Sequence, residues 1–229
     1  LRKPVNKPSN GYANIGAMFV AYGQKAIQCF YDCADSLRVH HPDMPIVVIG
    51  DQSINFPNCM CLQEPSTDIG ARSIKTQIWR YVPDGWTYAL YMDVDTLVLK
   101  PLDRFLQPLL DGWELVMVRD ELADVVDRCR LKNNEEKQHI KNAFGTGELT
   151  QFAGGLFSWR ICPTVQRFFE TWHAEWGRFS FRDQGALVRA LALTPVKLWP
   201  LGWAANASNR EHALEVWHIH GKARMAGAQ

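Results

Sequence analysis

Asp93 and Asp95 stand two positions apart in "YALYMDVDTLVLKPLD" (residues 88–103), a run otherwise apolar enough to pass through a sheet. On an extended strand, residues i and i+2 face the same way. Two carboxylates so placed repel each other and lose solvation on burial, so something positive is expected beside them. Hard oxygen donors of this kind suit Mg²⁺ or Mn²⁺, and a divalent ion can also bridge a diphosphate. The plain alternative is a pair of hydrated strand-end acids, one of them salt-bridged. Arg72 and Lys75 lie three apart in "ARSIKTQIWRYVP", hence on one helix face. Elsewhere that face would read as ordinary solvated surface, but here it directly precedes the acidic run. Gly154 and Gly155 in "FAGGLFSWR" permit close approach of a ligand, or mark a simple bulge. Tyr22 suits stacking on a nucleobase and packing in the core about equally.

The elements that must position these residues alternate. "AMFVAYG" (17–23) reads as a buried strand. A helix follows, with Ile27, Phe30, Tyr31, Ala34 and Leu37 at helical intervals, and stops at Pro42. "PIVVIGD" (45–51) is a strand, followed by a loop with two prolines and a helix from 70 that ends at Pro83. Strands are expected at 87–95, 114–120 and 152–160, with a short helix from 103. The stretch 121–148 is polar and helical in pattern, either a solvated helix or a lid. Helices at 163–179 and 183–193 precede late strands in "VKLWPLGW" and "EVWHIHG". Such alternation argues for an α/β layer structure with a largely parallel sheet. Ligands of such sheets bind beyond the carboxyl ends of the strands, where Asp51, Asp93, Asp95 and Asp120 are all expected.

The chain has 229 residues and a net charge of +1, enough for one domain with a sizeable core and no obvious nucleic-acid or membrane surface. No apolar stretch is long enough for a transmembrane segment. Six cysteines, two of them in "CMC" (59–61), fit zinc spacing poorly. Free thiols in a reducing compartment are the better reading, and the cytoplasm is the expected location. The start, "LRKPVNKPSNGY", is polar and reads as a flexible lead-in, compatible with a removed leader or anchor.

The segment "ARSIKTQIWRYVPDGWTYALYMDVDTLVLKPLDRF", with its Arg-x-x-Lys helix running into an Asp-x-Asp strand, resembles nucleotide-sugar glycosyltransferases of the GT-A fold. The similarity is to the retaining, glycogenin-like and bacterial galactosyltransferase-like group. "VAYG" (20–23), "FAGGLFSWR", "RDQGAL" and "VWHIHGKAR" look like further motifs of that group, in the same order. The resemblance implies a single Rossmann-like GT-A domain over 13–225, with a mostly parallel central sheet flanked by helices, between a lead-in at 1–12 and a tail at 226–229. It implies transfer of a hexose from a UDP-sugar with retention of configuration, assisted by Mn²⁺ or Mg²⁺. Asp93, Asp95 and a C-terminal histidine would hold the metal; the His-x-x-Gly spacing favours His218 over His220. Asp183 and Gln184 would be the catalytic pair beside the donor sugar, against the simpler role of Asp183 as a helix N-cap. Ala21, Tyr22, Arg72, Lys75, Asp93, Gly154, Gly155, Gly221, Lys222 and Arg224 would contact the donor. Two positions depart from the pattern: Arg224 stands where Lys is usual, and Ala153 where Asn is frequent.

"YMDVDTLVL" also fits the opening of haloacid-dehalogenase-like phosphatases, but those place the motif on the first strand and need a late acidic pair. A catalytically silent sugar-nucleotide-binding module is the third reading. The acceptor is open: a saccharide, a protein or a small glycoside are the leading classes, with nucleic acid disfavoured. Trp199 and Trp203 are candidates for a sugar-stacking platform, though most of the nine tryptophans are expected in the core.

Overall fold

The computed structural model describes residues 14–65, 70–120, 134–144, 150–179 and 182–219. The expected lead-in at 1–12, the tail at 226–229 and most of the basic residues in 121–148 lie outside the described residues. The chain forms an α/β structure, consistent with a Rossmann-like fold, around a seven-stranded sheet in the order β3-β2-β1-β4-β7-β6-β8. The strands are β1 (Ile15–Ala21), β2 (Ile46–Gly50), β3 (Cys59–Gln63), β4 (Tyr88–Met92), β6 (Leu115–Arg119), β7 (Phe152–Arg160) and β8 (Leu198–Leu201). A second sheet of three short strands, β5 (Thr96–Val98), β10 (Val216–His218) and β9 (Asn206–Ala207), joins it at one rim.

Only β7 runs against its neighbours; every other pairing in the large sheet is parallel. The carboxyl ends of β1, β2, β4 and β6 therefore share a rim with the amino end of β7. Strand period 2 then sorts side chains into two layers. Ile15, Ala17, Phe19 and Ala21 of β1 face α1 (Gln24–His40) and α3 (Asp103–Leu110). Met18 and Val20 face the opposite layer, built mainly by α5 (Pro163–Phe179) and α6 (Asp183–Leu193). Both faces of β1 are covered, so all seven of its residues are buried. Between β1 and α1, Gly23 holds a φ of 78°, and its N–H donates to Asp51 Oδ1 at 2.9 Å. Left-handed backbone of this kind favours glycine.

Four expectations change. "CMCLQ", expected within a loop, is the edge strand β3, and Met60 is half exposed there. The helix expected from 70 to 83 is α2 (Gly70–Thr76) followed by a 3₁₀ turn at Ile78–Tyr81. β4 stops at Met92, so Asp93 and Asp95 do not share a strand face; they sit in the turn through which the chain leaves the large sheet for the small one. The polar stretch 121–148 contains α4 (Asn134–Phe144), which is not solvated all round: Glu136 and Ile140 are buried.

Glu136 can be buried because Arg189 of α6 meets it. The guanidinium Nη1 lies 2.6 Å from Glu136 Oε1, and its Nε lies 2.7 Å from Glu175 Oε2 of α5. Its Nη2 donates to the Glu175 carbonyl at 2.7 Å, and the ring of Phe179 lies 4.8 Å from the guanidinium carbon. Truncating one member of such a buried set strands the other charges in low dielectric. Arg189→Ala is expected to lower stability by about 3–5 kcal/mol, read from urea denaturation midpoints.

Candidate active site

The turn after β4 is pinned on three sides. Asp93 N–H donates to the Gly155 carbonyl of β7 at 2.7 Å, and Ile219 N–H donates to the Asp95 carbonyl at 2.8 Å. Beneath it, Thr96 Oγ1 donates to the Asp93 carbonyl at 2.8 Å and lies 3.3 Å from the buried thiol of Cys33 on α1. Burial pushes that thiol up to about 12, the Thr96 hydroxyl partly opposing the shift.

The two carboxylates turn in different directions. Asp93 turns toward the α2/α6 layer, where Lys75 Nζ lies 3.2 Å from Asp93 Oδ1 and 2.8 Å from Asp183 Oδ2. Tyr91 OH, buried two residues earlier on β4, donates to Asp93 Oδ1 at 2.7 Å. Asp95 turns toward the small sheet, where His218 Nε2 of β10 lies 3.2 Å from Asp95 Oδ1. Ligand atoms of Asp93, Asp95 and His218 nonetheless lie within 4.8 Å of one another. Two carboxylate oxygens and one imidazole nitrogen make a donor set suited to Mg²⁺ or Mn²⁺.

Electrostatics follow burial. Desolvation alone would lower Lys75, but Asp183 and Asp93 outweigh it and hold the ammonium above its usual range. Desolvation alone would likewise raise Asp183; Lys75 first, then Arg72, reverse it and keep the carboxyl below its usual range. Burial, with Asp93 adding, drives the Tyr91 phenol well above its usual value. Lys75 is therefore a fixed cation and Asp183 a fixed anion at neutral pH.

Glycine is required where β7 meets these groups. Register with β6 jumps, Met117 facing Phe157 while Val118 faces Ala153, so Gly154–Leu156 bulge away from β6. A Cβ on Gly155 would lie 2.8 Å from Asp93 Oδ2 and 2.7 Å from His218 Cε1. A Cβ on Gly154 would lie 3.2 Å from Asp183 Oδ2. The bulge is present, and what approaches the glycine pair closely is the chain's own Asp93, His218 and Asp183.

These residues line one cleft of about 280 Å³, together with Arg72, Gln184 and Asp120. Gln184 Nε2 donates to Asp120 Oδ2, and Trp172 Nε1 donates to the Asp183 carbonyl at 2.9 Å. Asp183 thus begins α6 without capping it through its side chain; that carboxylate is turned to Lys75. Ala21 and Tyr22 do not line the cleft. Ala21 is fully buried, and Tyr22 packs on the α5/α6 side of the core with its hydroxyl lacking a hydrogen-bond partner among the described residues. Burial pushes that phenol up to about 12, with Tyr81, Glu64 and Asp51 adding to it. His220, Gly221, Lys222 and Arg224 lie outside the described residues. The sequence reading missed Tyr91, hidden in an apolar run, and Asn206, whose Nδ2 lies 3.5 Å from His218 Nδ1. Neither carries a spacing signal; each acts through a contact that only the fold creates.

No known protein-family model matches the chain, and comparison with the curated proteins gives no match.

Two outcomes are expected. Gly155→Ala places a methyl against both Asp93 and His218, and should weaken Mn²⁺ binding by about 10- to 100-fold with unchanged circular dichroism. Because Asp183 is depressed in the fold, its contribution to stability is present above its ordinary value and is lost as pH falls through the depressed one. Lys75, raised in the fold, contributes below its ordinary value and loses that only at strongly alkaline pH. Denaturation midpoints should therefore fall more steeply in the wild-type protein than in Asp183→Asn as pH drops from about 5 to about 3.

Proposed function

We propose that the protein is a GT-A-type glycosyltransferase that moves a hexose from a UDP-sugar to an acceptor hydroxyl with retention of configuration. The observation that carries this reading is the convergence, in one cleft, of Asp93, Asp95 and His218 with the Lys75–Asp183 pair and the Gly154–Gly155 bulge. These come from the turn after β4 and from β10, α2, α6 and β7, and they are the motifs whose order in the sequence resembles that family.

Asp93, Asp95 and His218 would hold a divalent cation, which when bound would supply Lewis-acid stabilisation to a departing diphosphate. Arg72 and Lys75 add positive charge on the same side, joined in this reading by Lys222 and Arg224 from the C-terminal motif. The bond from the anomeric carbon to the diphosphate oxygen breaks as the acceptor oxygen bonds to that carbon from the same face. The acceptor proton leaves on the diphosphate. Asp183, held ionised by Lys75, stabilises the oxocarbenium-like charge electrostatically. Gln184, oriented by Asp120, presents its amide to sugar hydroxyls. The narrow approach over Gly154 and Gly155 admits the sugar beside these groups.

The phosphatase reading has less support, because its acidic motif belongs on a first strand and β4 follows three others.

Calorimetric titration of UDP tests the proposal. Binding is expected to require Mn²⁺ and to weaken by more than about tenfold, or about 1.4 kcal/mol, in Asp95→Ala. UDP that fails to bind at any metal concentration sinks it and directs attention to a phosphatase assay.

A further inference from the structure

The donor reading uses one side of the cleft and leaves a neighbouring wall without a role. That wall is the segment from Trp203 to Ser208, of which Trp203, Asn206, Ala207 and Ser208 line the cleft. Trp203 begins a 3₁₀ turn and is 36% exposed. An indole left open at the mouth of a polar cleft forfeits the burial that Trp159, Trp172 and Trp176 obtain.

The wall is rigid. Leu201 and Ala205 anchor it in the core on either side of the indole. Ala205 N–H donates to the Gly202 carbonyl at 3.0 Å, and Leu214 N–H donates to the Ala204 carbonyl at 2.8 Å. His212 braces the Trp203 ring edge-on, at 5.6 Å between centroids and 80° between planes. Such a platform needs little ordering on binding.

A second observation points to a ligand. Asn206 is 8% exposed, its Nδ2 is turned to His218, and its Oδ1 has no hydrogen-bond partner among the described residues. A buried carbonyl oxygen without a donor is costly, and a hydroxyl entering the cleft would relieve that. Residues 203–208, "WAANAS", carry no ionisable side chain. Neutral, apolar on one face and hydroxyl-donating on its edge is a description of a pyranose: its C–H face suits an indole and its hydroxyls suit an amide oxygen.

We propose that this wall is the acceptor subsite and that the acceptor is a neutral saccharide, stacked on Trp203 and donating a hydroxyl to Asn206 Oδ1. The proposal rests on the donor reading above, and its test separates the two.

The full chain, labelled with ¹⁵N, is first titrated with UDP and Mg²⁺, the diamagnetic ion being chosen so that signals persist. The indole N–H signal of Trp203 is assigned by its loss in Trp203→Phe. Methyl β-galactopyranoside, methyl α-glucopyranoside, lactose and maltose are then added to the UDP–Mg²⁺ complex. At least one should shift the Trp203 indole signal and receive saturation transfer on its ring C–H protons. Its affinity should fall by about tenfold or more in Trp203→Ala, and stay within about threefold in Trp203→Phe, which keeps a flat aromatic face. UDP binding with no saccharide moving the Trp203 signal overturns this proposal and leaves the donor reading intact. Saccharide affinity undiminished in Trp203→Ala also overturns it. Failure of UDP to bind overturns the donor reading, and this one with it.

Discussion

A single ammonium holds the cleft together. Lys75 is 8% exposed and lies between Asp93, on the turn after β4, and Asp183, at the first turn of α6. Coulomb attraction in a site of reduced dielectric is strong only over a few ångströms, so the lysine dictates how closely α2, β4 and α6 converge. Without it, two carboxylates at the mouth of the cleft would repel α6 from the sheet. The Tyr91 phenol completes the arrangement from below by giving Asp93 a neutral hydrogen bond in addition to the ionic one. Lys75 also lies 5.4 Å from the centre of that phenol ring, so the cation is held by a π face as well as by anions.

The reversed strand β7 does the other half of the positioning. A wholly parallel sheet would place the amino end of β7 on the far rim, away from the acidic turn. Reversal brings "FAGG" to the rim where β1, β4 and β6 end. The bulge then draws two side-chain-free residues across the gap between the acids of the turn after β4 and Asp183 of α6. The small sheet adds the histidine: β10 pairs antiparallel with β5, His218 opposite Thr96, which sets the imidazole against Asp95.

The alternation of strands and helices was legible because both faces of the central strands are covered, so that their apolar runs stand out against amphipathic helices. His218 was named only through the resemblance of its motif to a family pattern; the structure sets it beside Asp95, and its alternative, His220, lies outside the described residues. The edge strand β3 was not: with one neighbour and partial exposure, "CMCLQ" needs no apolar run, and flanking prolines disguise it. The geometry of Asp93 and Asp95 was misjudged because the apolar run continues through the turn and into β5, so that nothing local marks the chain's passage from one sheet to the other. Glu136 looked like solvated surface because its partner, Arg189, is brought to it only by packing of α4 on α6. Asn206 was silent for the same reason.

The pairing of β5 with β10 has a consequence for how the molecule comes into being. Asp95 and His218 are separated by more than half the length of the chain, and joining such distant segments closes a large loop against its entropy. The cluster of Asp93, Asp95 and His218 depends on that closure, because Asp95 and His218 meet only through it. Its geometry is therefore a property of the long-range pairing, carried by neither segment alone.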